Sequence, residues 1–288
     1  TPTPTPTPNP VTLLFVGDLM FDRNIRIAAQ KSGNDFIFAP IATILKNQQL
    51  VVANLEGPIT NFPSKSVGSA IGSPANYIFT FDPSLAETLK QHQISLVDLG
   101  NNHILNFGQA GLDQTLEFLK TAQVQYFGQI GPTQDFKSLP LAQIIELNQQ
   151  KIAFISYNQF STGQPETVIE TEISTLKLQA DWVIVLAHWD REYEPVALPA
   201  TVKLAHRFID AGADLVIGSH PHVIQNHEIY QGREIYYSLG NFVFDQYFEP
   251  AVKKGMMVSV KLYPQPKILD TTPMLIQLQT NGQTSLEK

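Results

Sequence analysis

Along this chain, short apolar runs of strand length alternate with segments of helical periodicity. The runs cover residues 11–16, 50–53, 94–99, 152–156, 182–187 and 215–218, and most are rich in β-branched side chains. Helical patterns lie between them. Residues 83–91 follow Asp82, a good N-cap, with Pro83 suited to the first helical position. Residues 110–123 space their apolar side chains for one buried face. Residues 199–211 run to Gly212, which suits a C-cap. Strands alternating with helices predict right-handed crossovers and a largely parallel sheet, the α/β class.

The last third reads differently. Residues 227–230, 233–237, 258–262 and 274–279 form strand patterns with short connections. They predict an antiparallel or mixed second sheet packed on the first. Residues 61–76, rich in Ser, Gly and Pro, predict a loop. The chain opens with TPTPTPTPNP. Proline at alternate positions cannot donate backbone hydrogen bonds and favours extended chain, so residues 1–10 read as a semi-rigid linker. Such a linker suggests an anchor ahead of it: a signal sequence, a lipid or a transmembrane helix. Residues 11–288 show no further boundary and read as one domain.

Composition narrows the chemistry. The chain is 43% hydrophobic and 16% charged, which suits a compact globular protein. Its 19 Lys and Arg against 26 Asp and Glu give a net charge of -7, so a nucleic-acid partner is not expected. It has no cysteine, which excludes disulfides, thiol nucleophiles and zinc-thiolate sites. Any metal must be held by His, Asp, Glu or Asn.

The polar residues able to do chemistry follow the apolar runs. Gly17-Asp18 follows the first, Asn54-Leu55-Glu56 the second and Gly100-Asn101-Asn102-His103 the third. His188-Trp189-Asp190 and Ser219-His220-Pro221-His222 follow two of the later ones. Ligands of open α/β sheets bind beyond the carboxyl ends of the strands, so these groups converge on one rim. Imidazole with carboxylate and amide oxygen suits divalent Zn, Mn or Fe. Two carboxylates with neutral donors could hold one ion or bridge two.

Singly, each residue has an ordinary role open to it. Asp18 could make an Asx-turn, Glu56 could pair with an arginine, and His188 could be a hydrogen-bonded core histidine. Asn101 and Asn102 could satisfy turn backbone. Arg23 could grip an anionic substrate or pair with Asp22 or Asp35. Asp190 and Glu192 could orient a ligand imidazole or simply be solvated. Asn241 could contact ligand or satisfy backbone. His92, His206 and His227 read as structural or surface residues. No nucleophile elbow, P-loop or dinucleotide fingerprint is present.

The ordered motifs resemble the CapA family of capsule-synthesis proteins, associated with poly-gamma-glutamate production. They are Gly17-Asp18-Leu19-Met20-Phe21-Asp22-Arg23, Asn54-Leu55-Glu56-Gly57-Pro58, Asn101-Asn102-His103, Ala187-His188-Trp189, Gly218-Ser219-His220-Pro221-His222 and Ser238-Leu239-Gly240-Asn241-Phe242. The family resembles a branch of the calcineurin-like metallophosphoesterases. The resemblance implies a four-layer α/β/β/α sandwich with two central mixed sheets. It also implies one or two divalent ions held by Asp18, Glu56, Asn102, His188, His220 and His222, with His103 assisting at the leaving oxygen. Asp18 and His103 then stand as catalytic residues, and Arg23, Asn101 and Asn241 as substrate contacts. The implied substrate is an anionic polymer or phosphoester. Membrane-associated synthesis partners and a place on the outer face of the cell membrane follow from the same resemblance. One departure is visible: the usual first motif is Asp-x-His, and Met20 stands at the histidine position. A thioether is a poor partner for a hard ion, so the resemblance supports metal binding more strongly than phosphatase activity.

Overall fold

The computed structural model describes residues 9–130, 139–161 and 165–287. The Thr/Pro segment therefore lies, up to residue 8, outside the described residues. In chain order the elements begin with β1 (Val11–Leu19), α1 (Arg23–Ser32), α2 (Asp35–Phe38), α3 (Ala42–Lys46) and β2 (Leu50–Leu55). Next come α4 (Leu85–Gln91), β3 (Ile94–Asp98), α5 (Gly108–Thr121), β4 (Gln125–Phe127) and β5 (Ala142–Leu147). Then follow β6 (Gln150–Asn158), α6 (Glu166–Leu176), β7 (Trp182–His188), α7 (Pro199–Asp210) and β8 (Leu215–Ser219). The chain closes with β9 (His227–Tyr230), β10 (Arg233–Tyr236), β11 (Asn241–Val243), β12 (Lys254–Pro264), β13 (Lys267–Leu278) and β14 (Thr284–Leu286).

Two mixed sheets result. One has eight strands in the order β14-β13-β12-β1-β2-β3-β4, with β11 lying parallel beside the end of β1. The other has six in the order β5-β6-β7-β8-β10-β9. Strands β1 to β4 are mutually parallel, as are β6, β7, β8 and β10. The remaining long pairings are antiparallel.

Alternation along the strands builds the layers. From β1, Val11, Leu13 and Phe15 point between the sheets, where they share a core with Phe154, Trp182 and Ile184. Leu14 and Val16 point the other way, onto Ile25, Ile37, Leu89 and Leu112. On the outer face of the second sheet, Ala153, Ile155, Val183 and Val185 pack on Ile169 and Ile173 of α6 and on Leu204 and Phe208 of α7. The architecture is the four-layer α/β/β/α sandwich that the family resemblance implies.

The C-terminal expectation needs a correction. Strands β9 and β10 do join the second sheet, but β11 to β14 extend the first, through pairing of β12 with β1. The second sheet comes from the middle of the chain. A central strand such as β1 offers hydrogen bonds on both edges, and β2 occupies only one of them.

Local chemistry sets the element ends. Asp22 caps α1, its Oδ1 accepting from the Arg23 amide at 3.0 Å, while its Oδ2 accepts from Thr80 N at 2.9 Å. Asp82 accepts from Ser84 N at 3.0 Å, so α4 opens at Leu85, two residues later than the Pro83 start predicted from sequence. β1 runs three residues beyond Val16, because β2 and β11 pair with it as far as Leu19.

Candidate metal centre

The parallel strands of both sheets end at one edge. Asp18 of β1, Glu56 after β2, and Asn101, Asn102 and His103 after β3 come from the first sheet. His188 ends β7, and His220 and His222 follow β8 in the second. The rim expected from sequence therefore forms between two sheets rather than along one. Two glycines allow the close approach. A Cβ on Gly17 would lie 1.9 Å from the Gly240 carbonyl oxygen, and one on Gly218 would lie 1.9 Å from that of Tyr237.

Backbone strain collects here as well. Arg23, Asp190, Tyr193, His220 and His222 have φ of 51°, 73°, 66°, 94° and 58°. Side chains with a Cβ avoid this left-handed region unless the surroundings enforce it, at about 1–3 kcal/mol each.

Glu56, His220 and His222 each present a ligand atom within 4.8 Å of the others, and all three are buried. Glu56 Oε1 and His220 Nδ1 make no hydrogen bond. Buried polar atoms left without partners are costly, so two of them on this trio mark a place where a cation fits. The donor set suits a divalent ion.

Hydrogen bonds decide which atoms remain free. His222 Nδ1 lies 3.0 Å from Asn241 Oδ1 and 3.2 Å from Asp18 Oδ2, both acceptors. Nδ1 therefore carries the proton. Nε2 turns to Glu56 Oε1 at 3.6 Å. Burial alone would lower the His222 pKa, but Glu56 and Asp18 outweigh it and raise it to about 9. Burial, then the charge of Asp18, raises the Glu56 carboxyl well above its ordinary range. His222 thus keeps this proton at neutral pH in the metal-free protein, with Nε2 facing Glu56 Oε1 across 3.6 Å.

The other imidazoles are neutral. Burial, then the charge of His222, lowers His103 to about 4 and His220 to about 3. His188 is held well below its ordinary value by burial and by His220. His103 Nδ1 lies 3.2 Å from Asn106 Nδ2, a nitrogen that also donates to the Tyr77 carbonyl at 2.7 Å. The Tyr77 carbonyl is a further partner of the His103 ring, and Nε2 faces Glu56 Oε1 at 3.8 Å.

His188 and Asn102 lie in the site but satisfy each other, His188 Nε2 to Asn102 Oδ1 at 3.0 Å. His188 Nδ1 lies 3.0 Å from Ser219 Oγ and 3.3 Å from Asn54 Nδ2. Its ring stands 4.7 Å from that of His220. Asp18 is fully buried and accepts from Asn54 Nδ2 at 2.8 Å and His220 N at 3.3 Å.

Asn101 and Asn241 sit behind the site rather than at a substrate surface. Asn101 donates to Asn54 Oδ1 at 3.0 Å and Leu55 O at 2.9 Å. Asn241 donates to Val252 O at 3.1 Å and Gln246 Oε1 at 3.0 Å. Their amides are fully engaged, so they orient neighbours. Met20 is buried in the helix-side core, and its sulfur accepts from Asp22 N at 3.0 Å. Arg23 pairs with neither Asp22 nor Asp35. Its Nη2 meets Asp245 Oδ1 at 2.5 Å, and its guanidinium lies over Phe79 and Phe244. Asp190 turns away from the metal ligands to accept from Arg191 N and Leu198 N.

Sequence reasoning missed Asn54 as a hub, although two residues before Glu56 on a strand means the same face. It also missed Asn106 and Asp245, for which nothing local gives a signal.

Residues 12–246 match the family described as "Bacterial capsule synthesis protein PGA_cap". The capsule biosynthesis protein CapA of Bacillus anthracis is 30% identical over 285 residues, 93% of this chain and 68% of the relative. The PGA biosynthesis protein CapA of Bacillus subtilis (strain 168) is 31% identical over 247 residues, 81% of this chain and 63% of the relative. The chain thus spans about two thirds of the length of these relatives. Among solved structures, a hypothetical protein from Thermus thermophilus superposes with a TM-score of 0.56 at 17% identity, covering 93% of this chain and 99% of that one. The sulfate thiohydrolase SoxB of Thermus thermophilus gives 0.53 at 12% identity, covering 95% and 57%. These likenesses carry the fold, which is of the metallophosphoesterase type, and the family match together with the CapA identities carries the rest: this chain belongs to the bacterial capsule synthesis PGA_cap family.

Proposed function

We propose that this chain acts in the synthesis, anchoring or release of an extracellular anionic polymer of the poly-gamma-glutamate kind, through a metal-dependent centre. The observation that carries this reading is the buried trio Glu56, His220 and His222, with Glu56 Oε1 and His220 Nδ1 lacking hydrogen bonds. These three residues would hold the ion, with His188, Asn102 and Asp18 as the neighbouring donors. A divalent ion bound there supplies Lewis acidity at a phosphoryl or acyl oxygen. Asp18 and Asn241 keep His222 in the tautomer that leaves Nε2 free. His103, neutral at pH 7, relays a proton to the leaving oxygen.

Capsule-related relatives favour a place on the outer face of the cell membrane, with membrane-associated synthesis partners. Among the described residues no helix is long and apolar enough to cross a membrane.

A second reading, metal-dependent binding of polymer carboxylates without turnover, is favoured by Met20, whose sulfur is turned into the core and offers no donor. One experiment separates the two. Wild-type protein and His220→Ala are loaded with Mn, Zn or Fe, analysed for bound metal, and assayed on phosphoesters and poly-gamma-glutamate. Metal with turnover, both lost in His220→Ala, supports the enzyme. Metal without turnover supports the binding module. No metal in the wild type under any loading condition sinks both.

A further inference from the structure

A cavity of about 560 Å³ opens beside the metal centre. Its walls are one contact away from the site residues. Tyr193 stands 6.2 Å, ring to ring, from His222. Gln246 accepts from Asn241, which in turn accepts from His222. Tyr77 holds Asn106, which contacts His103.

The cavity's chemistry differs from what a chain of carboxylates requires. Among the described residues of its wall Arg23 is the one cation, and its Nη2 already lies 2.5 Å from Asp245 Oδ1. The guanidinium is further covered by Phe79 and Phe244 at 5.1 and 5.4 Å from the ring centroids. Glu192, next in sequence to Tyr193, adds negative potential toward Glu56 and His222. A polyanion entering here would find a neutralised cation and an acidic flank.

What the cavity does offer is aromatic surface and neutral polar groups. Tyr77, Tyr193 and Phe248 line it at 49%, 37% and 66% exposure and bring three aromatic side chains to one wall. The wall also holds the Asn76 and Gln246 amides, already bonded to Arg23 and Ser69 and to Asn241 and Tyr193 and so fixed in orientation. The Tyr247 hydroxyl, also in the wall, is buried and has no hydrogen-bond partner. Aromatic faces cover apolar C–H surface, and amides with hydroxyls match a ring bearing many hydroxyls.

We propose that this cavity binds a neutral, hydroxyl-rich sugar ring joined to the phosphoryl or acyl group handled at the adjacent metal centre. The assignment rests on the metal-centre reading for the linkage, but the cavity itself needs no metal. It divides the work by charge: the metal centre takes the anionic reacting group, and the aromatic cavity takes its uncharged flank.

The test uses the whole chain, metal-free and manganese-loaded. Saturation-transfer NMR and calorimetry are run with maltotetraose, cellotetraose and the N-acetylglucosamine tetramer, and in parallel with tetra-γ-glutamate. At least one neutral tetrasaccharide is expected to bind the metal-free chain. The double variant Tyr77→Ala/Phe248→Ala, confined to exposed side chains, is expected to weaken it about tenfold while its unfolding midpoint and manganese content stay unchanged. Failure of all three sugars, or equal binding by the variant, overturns the proposal. So does tetra-γ-glutamate that binds the metal-free chain and is lost in the variant. Sugar binding by a chain that takes up no manganese would remove the metal reading and leave the cavity standing.

Discussion

Asp18 Oδ2 lies 3.2 Å from His222 Nδ1, and this contact determines which imidazole nitrogen is left for a metal. An asparagine at position 18 would keep its oxygen on Asn54 and turn its amide nitrogen toward His222, setting a donor against the Nδ1 proton that Asn241 Oδ1 accepts at 3.0 Å. The Nδ1–H tautomer would lose one of its two acceptors, and Nε2 would be less reliably free. Asp18→Asn should weaken divalent-metal binding about 10–100-fold with the fold intact, as measured by calorimetric titration with manganese. Unchanged affinity would mean that His222 binds through another atom or not at all.

The retained proton on the Glu56–His222 pair must leave when an ion enters. With His222 raised to about 9, each pH unit below that value should cost about tenfold in metal affinity. His220 and His103, lowered to about 3 and about 4, add nothing above pH 5. Affinity should therefore climb about tenfold per pH unit from pH 6 and level off near pH 9. About one proton should be released per ion at pH 7, read from titrations in two buffers of different ionisation enthalpy. A flat profile with no proton release would contradict the pairing.

On the reading proposed above, His103 moves a proton rather than holding metal, and its Nε2 faces Glu56 from 3.8 Å. His103→Gln should leave metal content unchanged and lower kcat on a cleavable phosphoester about 10²-fold or more. Loss of metal with little effect on residual turnover would reassign His103 as a ligand.

Much of this site was legible because strand ends are short-range features. An apolar run followed by Gly-Asp, Asn-x-Glu or His-x-His can be read within a few residues, and Asp18, Glu56, His103, His188, His220 and His222 do gather at one edge. What could not be read is long-range. Three-residue β11 exists because Asp18 pairs with Asn241, far along the chain. Arg23 finds Asp245 rather than its near neighbours for the same reason. The C-terminal strands were recognisable one by one, but their periodicity says nothing about which sheet has an edge free for them. Helix α6 was obscured because its Thr and Ile residues favour strands locally, and tertiary packing of Ile169 and Ile173 overrides that preference.

Asp98 supplies a pH test independent of metal. Burial raises its carboxyl from 3.8 to about 7, against hydrogen bonds from Gly100 N and Ser156 Oγ, both at 2.8 Å. The folded protein thus holds this proton more tightly than the unfolded chain. The associated stability is complete below 3.8 and is lost as the pH rises through about 7. At about 1.4 kcal/mol per pH unit, the interval sets a ceiling of about 4 kcal/mol. Asp98→Asn keeps the accepting oxygen without the charge. Its urea stability should match wild type below about pH 4, exceed it increasingly as the pH rises to about 7, and stay ahead by a constant margin above that. Parallel curves would show that Asp98 is solvated or charged throughout.

Gly17 should be among the least replaceable residues in the chain, although it touches no ligand. A methyl group there would meet the Gly240 carbonyl oxygen at 1.9 Å, and both atoms belong to paired backbone. Relief requires β1 and the Gly240–Asn241 backbone to separate, which breaks the Asp18 N to Gly240 O bond of 3.1 Å. It also draws Asn241 away from His222. Gly17→Ala should therefore destabilise the fold by about 3 kcal/mol or more in urea unfolding, a cost typical of severe overpacking. Even under conditions where the variant stays folded, it should bind manganese more weakly, because the Asn241–His222 contact moves with the strand. A variant of normal stability and normal affinity would mean that β11 does not lie against β1 as described, and the tautomer argument for His222 would then rest on Asp18 alone.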